Sequence, residues 1–294
     1  MNLNTQIDKF LTLGGWQNAQ RTAITPDWSP RQFWRLKKID GRTAVLIHAP
    51  DDIPGHGLDD FLRLSETLLA ANLSAPKIYI AAPSFLLVED FGNTPIDTPS
   101  IEKEAYEAAV DALAILRKGQ GDLVSYKDGY IYKKLALYSD DPAWMAAWDK
   151  AEAALPPAPL VFSHMDYKAG NLHWLPEREG VKRIGLLDFQ AAQYAPFTYD
   201  IVNLLEDARR DVPDKDALKK RFKDALPDEW KPLFDDWYVF IAAQFHARVL
   251  GQIRNNPRVT PDVAPRLKGY LRAELQAPTL GPVRDWGQKT GLLI

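Results

Sequence analysis

Apolar positions recur along the chain with two different spacings, and the change from one to the other falls near residue 90. Phe33 to Leu36 and Thr43 to His48 are β-rich runs separated by Lys37-Lys38-Ile39-Asp40-Gly41. An Asp-Gly step between apolar runs signals a hairpin. Pro76 to Ile80 and Phe85 to Val88 predict two further strands. Between these pairs, Leu58 to Ala71 carries Phe61, Leu64, Leu68 and Leu69 at helical spacing. Ile7, Phe10, Leu11 and Leu13 suggest a short opening helix, and Glu89-Asp90-Phe91-Gly92-Asn93 is a polar break with turn residues.

Beyond that break the pattern is helical. Ile101 to Arg117 has acidic residues early and Arg117-Lys118 late, the polarity a helix dipole favours. Pro142–Leu155, Thr198–Arg210, Asp214–Ala225, Trp230–Ile253 and Pro261–Leu275 also read as helices. Pro156-Pro157-Ala158-Pro159 is a short loop leading into an apolar strand, and no internal repeat is present. The expectation is an α+β chain with a small antiparallel-sheet lobe over residues 1–90 and a larger, mainly helical lobe over 91–294.

Composition narrows the classes. The 294 residues are 46% hydrophobic and 26% charged, ordinary for a globular protein. A net charge of −3 gives no electrostatic reason to expect nucleic acid, which wants a basic face. Zero cysteines exclude a disulfide framework, an iron–sulfur cluster and a thiolate zinc site. The first sixteen residues lack the charged start and apolar core of a signal peptide, and no apolar run is long enough to span a membrane. A soluble, cytoplasmic, monomeric protein is expected.

The chemistry concentrates between Leu160 and Leu205. A buried run, Leu160-Val161-Phe162, leads into Ser163-His164-Met165-Asp166-Tyr167-Lys168-Ala169-Gly170-Asn171. If Leu172–Leu175 pairs with Val181–Leu187 about Glu179-Gly180, Asn171 enters one strand where Asp188 leaves the other, at the same open end of the hairpin. Asp166 lies just upstream. One amide and two carboxylates then converge, a hard-oxygen set suited to magnesium with phosphates and waters completing its shell. Phosphoryl transfer needs this arrangement: a metal on the phosphates and a carboxylate that receives or orients the attacking hydroxyl. Individually, Asp and Asn beside turns are caps or Asx-turns; it is the combination with the hairpin that points to chemistry. His164 reads as orienting the loop, since no second His stands at ligand spacing, and His173 as packing or surface. Lys168 is either a surface residue or a point charge for the transferring phosphate. Asp200, at a helix start, reads as structural and bracing the catalytic loop.

His164 to Asn171, Leu187-Asp188-Phe189-Gln190-Ala191 and Pro196-x-Thr198-Tyr199-Asp200 together resemble the aminoglycoside phosphotransferase and choline kinase superfamily. Within it the chain is most similar to the bacterial anomeric kinases of N-acetylmuramate and N-acetylglucosamine. The resemblance extends upstream through Ser29 to Leu36, Val45 to Pro50 and Phe85 to Gly92. It implies a bilobal, protein-kinase-like fold whose Glu89 to Asn93 hinge meets adenine, with ATP and Mg2+ as cofactors. It further implies Asp166 as base, with His164 and Lys168 beside it, and Asn171 and Asp188 on the metal. Ser29 and Arg31 fall in the loop over the phosphates, and His48, Glu89 and Phe91 complete the positions assigned to the nucleotide.

Departures from the family pattern are plain. Ser29-Pro30-Arg31-Gln32 stands in place of a glycine-rich loop. His48 stands where the β3 lysine is expected, with Arg31 or Arg35 as substitutes for its charge, and Glu66 loses its lysine partner and becomes a solvated helix residue. These departures motivate an alternative, a catalytically silent nucleotide-binding or regulatory module. The expected acceptor is a small molecule, a sugar, amino sugar or amino alcohol. Candidate liners are Trp144, Trp148, Trp237, Tyr238, Gln244 and Phe245, while Glu206 and Asp207 would suit a cationic acceptor.

Overall fold

A computed structural model describes residues 2–25, 30–50, 58–254 and 262–291. The first half-lobe is built on a five-stranded antiparallel sheet. Helix α1 (Leu3–Leu13) starts where the Asn2 side chain accepts the Thr5 N–H at 2.9 Å. It is followed by β1 (Gln20–Ile24), β2 (Gln32–Lys37), β3 (Thr43–His48), α2 (Asp59–Ala70), β4 (Ile78–Ala82) and β5 (Phe85–Val88), ordered β1-β2-β3-β5-β4 in the sheet. The Asp40-Gly41 turn joins β2 to β3 as the sequence predicts, with Gly41 at a φ of 87°. Strand β1 escaped prediction because it lies at the sheet edge, largely exposed, and shows no apolar alternation.

Strand pairing decides which side chains face which way. Trp34, Leu36, Ala44, Leu46, Phe85 and Leu87 pack with Ile7, Phe10 and Leu11 of α1. Phe33, Val45, Ile47, Leu86 and Val88 face the opposite way, toward α2 and the rest of the molecule. The core on that side continues without a break into the helical part.

The remaining elements are α3 (Glu102–Leu116), α4 (Tyr130–Lys133), α5 (Pro142–Ala153), β6 (Leu160–Ser163), β7 (Leu172–Trp174), β8 (Ile184–Leu186), β9 (Gln193–Pro196), α6 (Tyr199–Leu205), α7 (Lys215–Asp224), α8 (Phe234–Ile253), α9 (Val263–Glu274) and α10 (Gly281–Thr290). A small sheet-rich lobe and a larger helical lobe are thus present, as expected. Helix α8 is buried nearly all round, with Phe234, Trp237, Phe240, Ile241 and Ala243 in the core. Trp144, Trp148, Trp237 and Tyr238 are core residues too, at 0, 0, 3 and 4% exposure. The prediction that they line an acceptor pocket is therefore corrected: their rings pack on one another and on Phe240 and Phe234. Among the described residues no helix is long and apolar enough to cross a membrane.

The hairpin expected over 172–187 forms in shorter register, Leu172 opposite Leu186, His173 opposite Gly185 and Trp174 opposite Ile184. Gly180–Arg183 coils into a 3-10 turn rather than extending as a strand. Both lobes grip this hairpin. From the small-lobe side, Leu186 N–H donates to the Ser74 carbonyl at 2.7 Å and the Ser74 hydroxyl donates to the Lys182 carbonyl at 2.7 Å. From the segment after the hinge, Ile96 N–H reaches the Leu172 carbonyl at 3.0 Å and Trp174 N–H reaches the Thr94 carbonyl at 2.7 Å.

Candidate active site

The open end of the hairpin is closed by a backbone bond, Leu187 N–H to the Asn171 carbonyl at 2.9 Å. Asn171 and Asp188 therefore leave adjacent strands side by side, as the sequence geometry required. The Asn171 amide nitrogen donates to the Asp166 carbonyl at 2.9 Å and to Asp166 Oδ2 at 2.7 Å. That leaves the amide oxygen of Asn171 as its atom for a ligand. Lys168 Nζ donates to the same Asp166 Oδ2 at 2.7 Å. Burial pushes the Asp166 carboxyl up, but Lys168, His164 and Asn171 outweigh it and hold it below the ordinary carboxylate range. It is an anion at neutral pH, half-buried and open to accept a hydrogen bond.

Asp188 differs. Burial and the charge of Asp166 push its carboxyl up, only partly opposed by Lys168 and Arg31. Two carboxylates that raise each other's cost of ionisation, Asp166 half-buried and Asp188 open to solvent, are a site short of positive charge. This donor set, two carboxylates and an amide oxygen, fits a hard divalent cation. Arg31 reaches this region: it is 8% exposed, its pKa is lowered by burial, and it interacts with the charges of Asp188 and of Asp60 on α2.

Two residues in the loop adopt left-handed backbone, Met165 at a φ of 71° and Asp188 at 58°. Asp tolerates this conformation, but Met does so only under constraint. The constraint is Asp200, at the start of α6, whose Oδ2 accepts the His164 N–H at 2.7 Å and Oδ1 the Met165 N–H at 3.0 Å. Asp200 thus clamps the turn that presents Asp166. Burial pushes its carboxyl up to about 7 against these two bonds. His164 is fully buried, and burial drives its pKa down to about 4, so it is neutral, and its Nδ1 accepts the Asp166 N–H at 3.3 Å. It orients the loop as expected.

The positions assigned to the nucleotide separate. Ser29 lies outside the described residues. His48 is a correction: it pairs opposite Gln32 and Phe85 and stacks on Phe85 at 4.8 Å, on the α1 face of the sheet rather than the face toward α2. Alternation along β3 leaves it no way to the cleft. Arg35 is also spoken for, since its guanidinium holds Asp90 at 2.8 and 2.9 Å, Asn93 at 2.9 Å and the Gly92 carbonyl at 3.1 Å. It fastens the hinge, while Lys168 and Arg31 are the cations that act on Asp188. Glu66 is exposed, as expected once no lysine faces it. Glu89 and Phe91 sit at the junction of the lobes: Glu89 pairs with Arg178 from the large lobe, and Phe91 packs so close to Gly185 that a Cβ there would lie 2.6 Å from its ring.

The large lobe also contains a crevice that the sequence did not disclose. It is narrow, about 10 Å3, the room of a single water, and is lined by Tyr126, Ile131, Tyr132, Leu135, Tyr199, Gln244, Phe245 and Arg248. Gln244 and Phe245, two of the candidate acceptor liners, lie on its wall. Tyr126, Tyr132 and Arg248 were not foreseen together, because three separate helices and loops bring them there. Glu206 and Asp207 are not available to a cationic acceptor. Glu206 is held by Tyr238 at 2.6 Å and by Lys215, and Asp207 by Arg209 at 2.7 Å and Arg210 at 2.9 Å.

The family model described as "Phosphotransferase enzyme family" matches residues 20–233. The chain belongs to the phosphotransferase enzyme family. Among its relatives, the N-acetylmuramate/N-acetylglucosamine kinase of Caulobacter vibrioides is 31% identical, with 94% of this chain and 93% of the relative covered. The kinase of the same name from Pseudomonas aeruginosa is 28% identical over 92% of this chain and 88% of its own. Similar solved structures include an amicoumacin kinase in complex with AMP-PNP and Ca2+, at a TM-score of 0.64 and 15% identity over 95% of this chain and 97% of the other. The choline kinase of Streptococcus pneumoniae superposes with a TM-score of 0.64 at 11% identity, covering 95% and 98%. As a phosphotransferase the chain is a small-molecule kinase with the protein-kinase-like bilobal fold.

Proposed function

We propose that the protein transfers the γ-phosphoryl group of ATP, with Mg2+, to a hydroxyl of an N-acetylated amino sugar. What carries this reading is the convergence of Asp166, Asn171 and Asp188 at the open end of the β7–β8 hairpin, in a chain 31% identical to a kinase named for N-acetylmuramate and N-acetylglucosamine. Asp166, kept anionic by Lys168, accepts the hydrogen bond of the attacking hydroxyl and fixes its lone pair toward the phosphorus. Asn171 Oδ1 and the Asp188 carboxylate hold the cation, which when bound neutralises phosphate charge. Lys168 and Arg31 add positive charge beside Asp166 and Asp188 for the transferring group, and Glu89 to Phe91 form the adenine-facing hinge. All of these residues come from one chain, which suits a monomer, and ATP as donor suits the cytoplasm.

The test is direct. Full-length protein is incubated with Mg-ATP and, in turn, N-acetylmuramate, N-acetylglucosamine and choline, with ADP release measured by a coupled assay and the product examined by phosphorus NMR. Sugar-dependent ADP release with a new phosphomonoester resonance supports the reading. ADP release with choline alone, or none with any acceptor, sinks it.

A further inference from the structure

The hinge between the lobes is held from both sides, and two arginines divide its residues between them. From β2 in the small lobe, Arg35 takes Asp90, Gly92 and Asn93, at 2.8, 3.1 and 2.9 Å. The Asp90 side chain is 4% exposed and also accepts the Gly92 N–H at 2.9 Å, which folds residues 90–92 into a tight turn. From the β7–β8 connection in the large lobe, Arg178 takes the other two. Its guanidinium pairs with the Glu89 carboxylate and lies over the Phe91 ring, 5.2 Å from its centre. Arg178 is itself set in place: its N–H donates to the Leu175 carbonyl at 3.1 Å, and its carbonyl accepts Arg183 Nε at 3.0 Å.

Phe91 is pressed onto the same hairpin that ends at the proposed metal ligands. Its ring lies over Gly185 of β8, where a Cβ would come within 2.6 Å of it. Gly185 stands three residues before Asp188, at most about 10 Å of extended chain. Beyond the hinge, Thr94 and Ile96 bond to Trp174 and Leu172 of β7 at 2.7 and 3.0 Å. The segment after the hinge, the hairpin and the end bearing Asn171 and Asp188 thus form one hydrogen-bonded ribbon, with the hinge fastened on top of it. In β3 the one ionisable side chain is His48, which faces α1. That strand offers the phosphates no charge, so the ribbon gains weight in fixing where a nucleotide lies against the metal.

We propose that Arg178 is a positioning residue for the nucleotide, holding Glu89 and Phe91 down on the catalytic hairpin so that one rigid element sets both the adenine end and the cation-binding end of ATP. It acts through Glu89 and Phe91 and not on the reacting groups. Arg35 fixes the shape of the hinge turn, whereas Arg178 fixes its place over the hairpin. The inference rests on the reading of residues 89–91 as the adenine-facing hinge and adds the side chain on which that hinge's placement depends. It also carries a direction: loosening Arg178 weakens nucleotide binding and leaves the acceptor's affinity where it was.

The experiment measures the Kd of Mg-ATP by calorimetric titration, and kcat and KM with N-acetylglucosamine, for wild-type protein and for Arg178→Ala, Arg178→Lys and Gly185→Ala. Arg178→Ala is expected to raise the Kd of Mg-ATP about fivefold to twentyfold, the scale of a partly exposed ion pair together with its ring contact, with the KM of the sugar unchanged. Arg178→Lys keeps the charge facing Glu89 and loses the planar stack, so it recovers part of the loss. Gly185→Ala lifts the Phe91 ring and raises the Kd in the same way. Melting temperatures establish that each variant is folded. A folded Arg178→Ala protein with wild-type affinity for Mg-ATP overturns the proposal, and so does an equal rise in the Kd of Mg-ATP and the KM of the sugar. If Arg178→Ala does not fold, Arg178→Lys and Gly185→Ala decide by the same criterion. Photolabelling of wild-type protein with 8-azido-ATP separates the two layers. No label in the tryptic peptide Ile78–Lys103 ends the hinge reading and the inference with it; label there, with unchanged affinity in Arg178→Ala, refutes the inference alone.

Discussion

Two acidic clusters lie in the large lobe, and they differ in how their charge is balanced. The first is Asp166 with Asp188. The second is Glu206 with Glu274, joined by His246, whose Nδ1 lies 2.9 Å from Glu274 and Nε2 3.1 Å from the Glu206 carbonyl. The second set places three ligand atoms within 4.8 Å of one another, the spacing of a metal site. Yet Glu206 is already held by Tyr238 and Lys215, and His246 by both its neighbours. It is a closed account of donors and acceptors that fastens α8 to α9 and to the end of α6. The first set is open: Asp188 is pushed up by burial and by Asp166, and a single amide oxygen beside it waits for a ligand. Counting acids does not separate a binding site from a structural tie. Counting what each oxygen already holds does.

The sharpest way to break the comparison is at Asp166. Asp166→Ala should lower kcat about 10²- to 10⁴-fold with nucleotide binding retained; steady-state kinetics against N-acetylglucosamine and nucleotide titration measure both. Near-normal turnover would remove Asp166 as base. Next is the clamp. Asp200→Ala leaves two buried N–H groups without partners and should cost about 3 kcal/mol or more in urea unfolding, together with activity. A variant as stable as wild type would show that the Met165 turn holds without it.

A third measurement uses pH. His164 has its pKa driven down to about 4 by burial, below its ordinary value of about 6.5 in an unfolded chain. Its contribution is complete above pH 6.5 and is lost as pH falls toward 4, by up to about 3 kcal/mol. Asp200, pushed up to about 7, has the opposite slope, destabilising as pH rises from about 4 to 7. The difference in unfolding free energy between wild type and His164→Asn isolates the histidine: the wild-type advantage should shrink between pH 6.5 and 4. A difference independent of pH over that range would show that the ring is not buried neutral. The smallest effect is in the closed cluster. Glu206→Gln should cost about 1–3 kcal/mol of stability, because Lys215 is partly exposed and can turn to water, and leave turnover per folded molecule near wild type. A collapse of turnover in a folded Glu206→Gln protein would make that cluster part of the catalytic machinery.

The comparison also explains what could be read in advance. Asp166, Asn171 and Asp188 lie within one loop and one hairpin, so local pairing alone brings them together, and the sequence was enough. The face on which His48 lies depends on which side α1 covers, a fact supplied by packing and not by strand pattern. Arg35 looked free as a sequence position but meets Asp90 and Asn93 only once β2 lies over the hinge. Arg248 carries no local signal at all, since a basic residue on a helix is ordinarily solvated, and only packing sets it on one wall with Tyr126 and Tyr132. The bracing role of Asp200 was legible because a helix-start carboxylate has few partners to choose from.

The left-handed turn at Met165 has a consequence for how the chain is made. Its restraint arrives 35 residues later, on the first turn of α6. During synthesis, Asp166, Asn171 and Asp188, the residues proposed as base and metal ligands, have all emerged by position 188, before the Asp200 carboxylate that holds the loop at Met165. A fragment ending before residue 200 would carry these acidic residues without the two backbone bonds from His164 and Met165 that hold their loop.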